Sequence, residues 1–546
     1  MTSRLRPDPP ILARMQRRDF IRQSVLAACV ATGSARVFAD SSGTTLRRSR
    51  GGTLTSLDPH RGISATDMEI NADLFVGLTA IDARGAITPG LASEWTVSAD
   101  GRRYEFRLRR NLRWSDGSSL DAVDVVASFR RMLAADTGML LAYRYDAIVG
   151  AEGLRRGKAS SAALGVRAGA APGTVIFELL RPETDLLKLL AVAYVVPVRL
   201  IERLGRDWAK PPAIVVNGAY RPTSWAQNGR LTLAANPRWY GAGAQAMAPQ
   251  LEWITGIDDA TRLRLFRSAE LDIAQLSEAS VLKLARAELG SFLHSVPFYG
   301  GGWLGLNLRR GALADRRVRE ALSLAIDRRV LCDKVRGLGE QPTESLVPQA
   351  VGDYPVRAAP AYAAWPMPRR VAAARELLRA AGISGAQTLR LVGIFSSNPL
   401  TQRTFLAIDA MWAPLGVRLE ARGMESRAYN TALNAGEFDL MDYGPFSAVQ
   451  SATSFIGRFQ SGSFLNYSGY ADAEVDRLIS TAEASVEPSA RARGYLAVER
   501  LLVRDLPVIP LYSGVTHRLV AARVRGWVDN SGLASPSQFL SLAARA

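Results

Sequence analysis

Residues 108–133 read LRRNLRWSDGSSLDAVDVVASFRRML. Asp116-Gly117, just after Trp114, is a pair that tight turns accept readily, so the segment opens as a small hairpin. From Asp121 the apolar residues Val123, Val126, Phe129, Met132 and Leu133 recur at helical spacing. That spacing predicts an amphipathic helix over 121–133 with those side chains inward. Within this one segment a hairpin is followed by a helix.

The same mixture continues outward. Residues 95–109 alternate around Asp100-Gly101, a hairpin signature. Leu54 to Asp58-Pro59 reads as a strand ending in a turn, and Asp67 to Leu78 has helical spacing. Asn217-Gly218-Ala219-Tyr220 reads as a turn before the strand Leu231-Thr232-Leu233. Asp315 opens a helix to Ile326 as its N-cap, and Val371 to Ala380 forms another, stopped by Gly382. No repeat and no low-complexity linker divides these elements. The expectation is an α/β fold whose domains exchange strands. With 546 residues and 48% hydrophobic content, the chain exceeds one core, and two or three domains are expected.

The net charge is +17. It is scattered and mostly arginine, without the stacking aromatics that a nucleic-acid groove requires, so no nucleic acid is expected. His60, His294 and His517 stand far apart, which gives no metal site. Cys29 and Cys332 are the two cysteines.

Residues 15–39, MQRRDFIRQSVLAACVATGSARVFA, read as an export signal. Arg17-Arg18 precedes Phe20-Ile21, an uncharged stretch follows from Ser24 to Ala35, and Val37-Phe38-Ala39 offers small residues at a cleavage site. The paired arginines resemble the twin-arginine type. Residues 1–39 are thus expected to be a signal peptide and the mature protein to be periplasmic. Cys29 lies too close to Arg22 for a lipoprotein signal, so no lipid anchor is expected there. Either Met1 or Met15 could be the start. Leu186 to Ile201 is apolar but contains Lys188, Pro197 and Arg199, which excludes a membrane span.

Catalytic motifs do not assemble. Gly300-Gly301-Gly302-Trp303-Leu304-Gly305 matches a dinucleotide fingerprint, but Leu306-Asn307-Leu308 continues as strand where a helix is required. These glycines read as a flexible or closely approached backbone. Ser280-Val281-Leu282-Lys283 matches one motif of the penicillin-recognising serine hydrolases, but its companion motifs are missing. The expectation is no enzyme and no cofactor.

From Gly52 onward the sequence resembles the family 5, peptide-type solute-binding proteins of ABC transporters. The stretches that carry the resemblance are LTSLDPH (54–60), DLFVGLTAIDARGAITPGLASEW (73–95), the block 108–133, NGAYRPTSW (217–225), NPRWY (236–240), ADRRVREALSLAIDR (314–328), ARELLRAAGI (374–383) and PVIPLY (507–512). The resemblance implies a bilobal periplasmic binding protein with an extra third domain, closing over ligand by a hinge. It implies lobe I from 40–90, 210–300 and 505–546, an additional domain over 91–209, and lobe II over 301–504. The implied partners are a small peptide or peptide-like ligand and the permease and ATPase subunits at the inner membrane, with the protein itself a monomer. A sensor or chaperone on the same fold is the alternative; an exported serine acyl-hydrolase is a more distant one.

One departure concerns the ligand. The family's peptide binders hold the α-ammonium with an Asp before a Thr-Ser-Phe. In EFDLMDYGPFSAVQSATSFIGRF (437–459) a gap-free match puts Ala448 at that position and Pro445 at an accompanying Trp. Asp442 falls where a cation for the peptide carboxylate can stand. A matching alignment puts Ile63, Ser64 and Ala65 where a lobe I strand meets the ligand. The expected ligand-lining residues are therefore Ile63, Ser64, Ala65, Asp442, Gly444, Pro445, Phe446, Ser447 and Ala448. N-terminal sequencing of the exported protein should begin near Asp40; a mature chain beginning at a lipid-modified Cys29 would contradict the signal as read.

Overall fold

The computed structural model describes residues 44–62, 64–139, 141–226, 229–383, 388–532 and 535–543. The export signal, Cys29 and Ile63 lie outside the described residues.

One eleven-stranded sheet runs through the molecule. From one edge its order is Val417–Met424, Leu389–Ser396, Leu440–Tyr443, Leu293–Leu306, Val508–Val520, Ile273–Leu276, Thr45–Ser49, Gln250–Ile254, Arg230–Ala235 and Tyr220–Trp225. The short strand Gln341–Pro342 pairs off this path with Val508–Val520. The two middle strands are the long ones, with 14 and 13 residues. They pair antiparallel from Leu293↔Leu519 to Gly305↔Val508, with register shifts between Pro297 and Gly301 and again at Gly302/Trp303. Along the path their far ends meet the flanking strands, Trp303–Leu306 on Leu440–Tyr443 and His517–Val520 on Ile273–Leu276, while Gln341–Pro342 lies against the middle of the second strand at Ser513 and Tyr512. The sheet is thus two half-sheets joined by a two-stranded ribbon.

The glycine run lies in the middle of that ribbon, as strand, in agreement with the sequence reading. A Cβ on Gly301 would sit 2.3 Å from the Tyr512 carbonyl oxygen, and one on Gly302 would sit 2.2 Å from the Tyr512 ring. A side chain is excluded at Gly301 by the facing backbone and at Gly302 by the Tyr512 ring, which occupies that space.

A separate four-stranded sheet has the order Ala92–Val97, Arg103–Leu108, Thr174–Glu178, Val166–Ala168. Its first two strands are the hairpin read around Asp100-Gly101, with Trp95 opposite Phe106. The helix Ala122–Leu133 packs on it, capped by Asp121, whose carboxylate accepts from the Val123 and Asp124 amides. One apolar core runs from this sheet into the half-sheet built on Thr45–Ser49. Two further cores cover the half-sheet built on Leu440–Tyr443.

Several local expectations need correction. Val123 is 53% exposed and Val125 is buried in its stead, because the cap sets the helical phase so that Ala122, Val125, Val126 and Phe129 face inward. Residues 54–57 form no strand: the amides of Thr55 and Ser56 donate to the Asp67 carboxylate, so a side chain takes the bonds a neighbouring strand would take. The helix expected over 67–78 spans Ala65–Leu74 and ends where the Gly218 amide donates to Leu74 O. The strand through the glycines stops at Leu306. The remaining capped helices stand as Arg316–Leu324 and Met367–Ala380.

Gly301→Ala should lower the unfolding free energy in urea by about 1–3 kcal/mol, the cost of overpacking a site that cannot yield. Gly290→Ala, with open space around the added carbon, should stay within about 0.5 kcal/mol of the parent.

Candidate functional site

The segment Gly444–Ala448 leaves the sheet at the end of Leu440–Tyr443 and runs beside the ribbon. It is pinned there by backbone bonds: the Gly301 amide donates to Pro445 O at 3.0 Å, and the Ser447 amide donates to Tyr299 O at 2.8 Å. Arg458 ties the other side, donating to Phe446 O at 3.1 Å and to the Tyr443 hydroxyl at 2.9 Å. Pro445 and Ser447 are buried, Phe446 and Ala448 half-buried, and Gly444 exposed. A short loop is therefore fixed through its backbone against the ribbon, beside the register shifts.

The loop that follows meets the four-stranded layer across a polar seam. Arg144 donates to the Ser454 hydroxyl at 2.7 Å, and that hydroxyl is paired with Ser447 Oγ at 2.8 Å. The Ser451 hydroxyl donates to Asp185. Lys188 Nζ donates to Gln450 O at 2.6 Å and to Asp353 Oδ2 at 2.8 Å. Arg181 pairs with Glu483 at 3.0 Å, and the Tyr143 and Phe464 rings meet edge to face at 5.0 Å. Beside them, Glu183 accepts from the Asp185 amide. Burial, together with the negative charges of Asp185 and Glu483, pushes its carboxyl up to about 7.

The sequence-predicted residues divide into two groups. Gly444 to Ala448 lie together along the ribbon. Ser64 and Ala65 do not lie on a strand. Ser64 is the N-cap of Ala65–Leu74: its hydroxyl accepts from the Asp67 amide at 3.0 Å, and its own amide donates to the Asp67 carboxylate at 3.0 Å. Ala65 opens that helix and is half-buried. Asp442 is on the opposite strand face from Met441 and Tyr443, with Thr401 Oγ1 at 3.4 Å as a weak donor. Burial raises its carboxyl and the nearby Arg336 lowers it, with burial prevailing.

The seam residues Arg144, Arg181, Asp185, Lys188 and Asp353 were not singled out from sequence. Lys188 carried a signal: a cation inside an apolar run, three residues after an Asp, requires a partner. A recess of about 950 Å³ opens elsewhere, lined by Asp58, Arg61, Arg131, Trp208, Lys210 and Trp225 among others. Its floor is a structural pair, the Arg131 guanidinium on the Asp58 carboxylate, and none of Gly444–Ala448 lines it. The Ser280 and Lys283 side chains are exposed on the helix Ala279–Leu289. Cys332 is buried, and desolvation pushes its thiol up to about 12.

Comparison with known proteins gives a consistent result. The model of the bacterial extracellular solute-binding proteins, family 5 Middle, matches residues 86–466. The periplasmic oligopeptide-binding protein OppA of Salmonella typhimurium is 27% identical over 534 residues, covering 96% of this chain and 98% of that protein. The probable deoxycholate-binding periplasmic protein YgiS of Escherichia coli is 30% identical, covering 86% of this chain and 88% of that protein. The solved structure of the Escherichia coli murein tripeptide binding protein MppA superposes with a TM-score of 0.83 at 25% identity, covering 92% of this chain and 99% of that one.

The raised Glu183 carboxyl makes stability depend on pH. The folded state holds the proton up to about 7, whereas a free Glu releases it near 4.5. Its contribution is therefore lost as pH rises from about 4.5 to 7 and is level above that. Glu183→Gln removes this component: melting points of variant and parent should coincide at pH 4, and the variant should gain steadily to pH 7. A constant difference across that range would contradict the assignment.

Proposed function

Because this chain belongs to family 5 of the bacterial extracellular solute-binding proteins, we propose that it is the periplasmic binding subunit of a peptide-type ABC importer. It captures a small peptide or peptide-like solute between two lobes and delivers it to the permease. The carrying observation is the ribbon: two long strands join two half-sheets, and the backbone-pinned loop Gly444–Ala448 lies beside their register shifts. A bend at the glycine run would bring the walls of the seam together over a ligand, the hinge motion of binding proteins.

The lobes follow from this reading: 40–90, 210–300 and 505–546 form lobe I, 91–209 the additional domain, and 301–504 lobe II. The protein acts as an exported monomer after cleavage near Ala39, by the twin-arginine-like route. It is a binding protein and not an enzyme, and it works with permease and ATPase subunits. Gly444, Pro445, Phe446, Ser447 and Ala448 line the ligand, with Asp442 behind them and Ser64 and Ala65 contributing through the helix N-terminus.

Chemistry narrows the ligand. Ala448 offers no carboxylate, and a desolvated ammonium without a partner is strongly disfavoured. A loop with no charged side chain and the half-buried Phe446 ring suit a neutral or N-capped peptide. A second reading has a specific observation behind it: the 30% identical relative YgiS is named for deoxycholate, a ligand without an amine.

The test is calorimetry with di- to pentapeptides, each free and N-acetylated, and with deoxycholate. Acetylated peptides or deoxycholate should bind at least as well as free amines. A preference for free amines that survives Asp442→Asn would overturn the ligand class. In X-ray scattering, saturating ligand should reduce the radius of gyration; an unchanged profile would contradict closure.

A further inference from the structure

Lys188 lies in the apolar run LLKLLAVAYVV, residues 186–196. Its ammonium has three N–H bonds and an acceptor for each: Asp185 Oδ1 at 2.9 Å, Asp353 Oδ2 at 2.8 Å and Gln450 O at 2.6 Å. Asp185 belongs to the same wall of the seam as Lys188. Asp353 and Gln450 belong to the other wall, and Gln450 is two residues beyond Ala448. Two carboxylates and a carbonyl about one nitrogen form a tripod that suits a primary ammonium, and the planar fork of Arg would not fit it.

The cluster is not charge-balanced. Asp185 is held by the Ser451 hydroxyl as well as by Lys188. Asp353 Oδ1 is enclosed and has no hydrogen-bond partner, and neither has the enclosed Arg491 Nη1. The Lys188 side chain is 21% exposed, Asp185 4% and Asp353 24%. Without the lysine, two carboxylates would face each other across the seam with no cation bonded to both; Arg144 beside Asp185 and Arg491 beside Asp353 act only through their charge, one on each.

We propose that Lys188 is the resident cation of an ammonium pocket formed by Asp185, Asp353 and the Gln450 carbonyl, and that it excludes the free amine of a ligand from the seam. This deepens the reading of the seam as the ligand site and names what it selects: solutes without a primary amine. The chain supplies the ammonium itself, so the bridge between the walls forms whichever solute is bound. A peptide with a free N-terminus would have to displace a tethered competitor already present at high effective concentration.

Chemical rescue tests the proposal on the full exported chain. Lys188→Ala deletes three methylenes and the ammonium, the size of n-propylammonium. Propylammonium should raise the melting point of the variant saturably, by about 2–4 °C, and leave the parent unchanged. Tetramethylammonium at the same ionic strength, which has no N–H, should do nothing. Lys188→Ala combined with Asp353→Asn should lose the response. The single variant should also bind free-amine peptides about tenfold more tightly than their acetylated forms, a preference the parent lacks. A cooperatively folded Lys188→Ala protein indifferent to propylammonium would sink the idea, as would a response that survives Asp353→Asn. If Lys188→Ala does not fold alone, refolding with propylammonium must recover it, and failure to recover it counts equally against the proposal. The alkylammonium arm needs no peptide. Rescue in a protein that binds no peptide would leave the pocket standing and remove the peptide reading; peptide binding without rescue would do the reverse.

Discussion

The structure depends on the close antiparallel passage of Leu293–Leu306 and Val508–Val520. Every strand of the large sheet reaches its counterpart on the other side through these two. The facing backbone leaves no room for a side chain at Gly301, the Tyr512 ring fills the space at Gly302, and the register slips on both sides of the pair. A regular ladder resists bending because each hydrogen bond fixes the next. An interrupted one can flex where pairing is already broken. The same feature that weakens the sheet locally positions the loop Gly444–Ala448, which takes its backbone bonds from Tyr299 and Gly301.

Electrostatics at the seam is the second organising element. Across it stand Arg144, Arg181 and Lys188 on one wall and Ser454, Glu483 and Asp353 on the other. Such contacts between partly exposed groups are individually weak. They gain weight by forming together along one seam. Several are poorly balanced: Glu183 is pushed toward neutrality, and Asp353 keeps an oxygen without a partner.

Much of the fold was legible where local chemistry decides. Asp121 and Asp315 cap their helices, Asp100-Gly101 turns its hairpin, and the glycine run lies in a strand. The failures were non-local. Thr45–Ser49 reads TLRRS, a polar stretch by sequence, yet Arg48 is buried between Glu69 and the Trp253 ring. Glu69, 21 residues away, and the neighbouring strand Gln250–Ile254 make that strand interior. Leu54 to Leu57 has strand composition, but the Asp67 carboxylate takes the amides of Thr55 and Ser56. The site was half legible. Gly444–Ala448 is contiguous and could be aligned as a block; the seam charges come from segments up to about 300 residues apart.

The position of Thr45–Ser49 also constrains the order in which the chain can become a protein. It lies in the interior of the sheet, parallel to Gln250–Ile254 and Ile273–Leu276. Ile273–Leu276 in turn pairs with the end of Val508–Val520. During synthesis the first strand must wait for more than 200 residues to be made before it has a neighbour, and the sheet is continuous only when the last strand leaves the ribosome. Contacts of such sequence separation fold slowly. Until then the edges of Ile273–Leu276 and Leu293–Leu306 that Val508–Val520 covers have no partner strand.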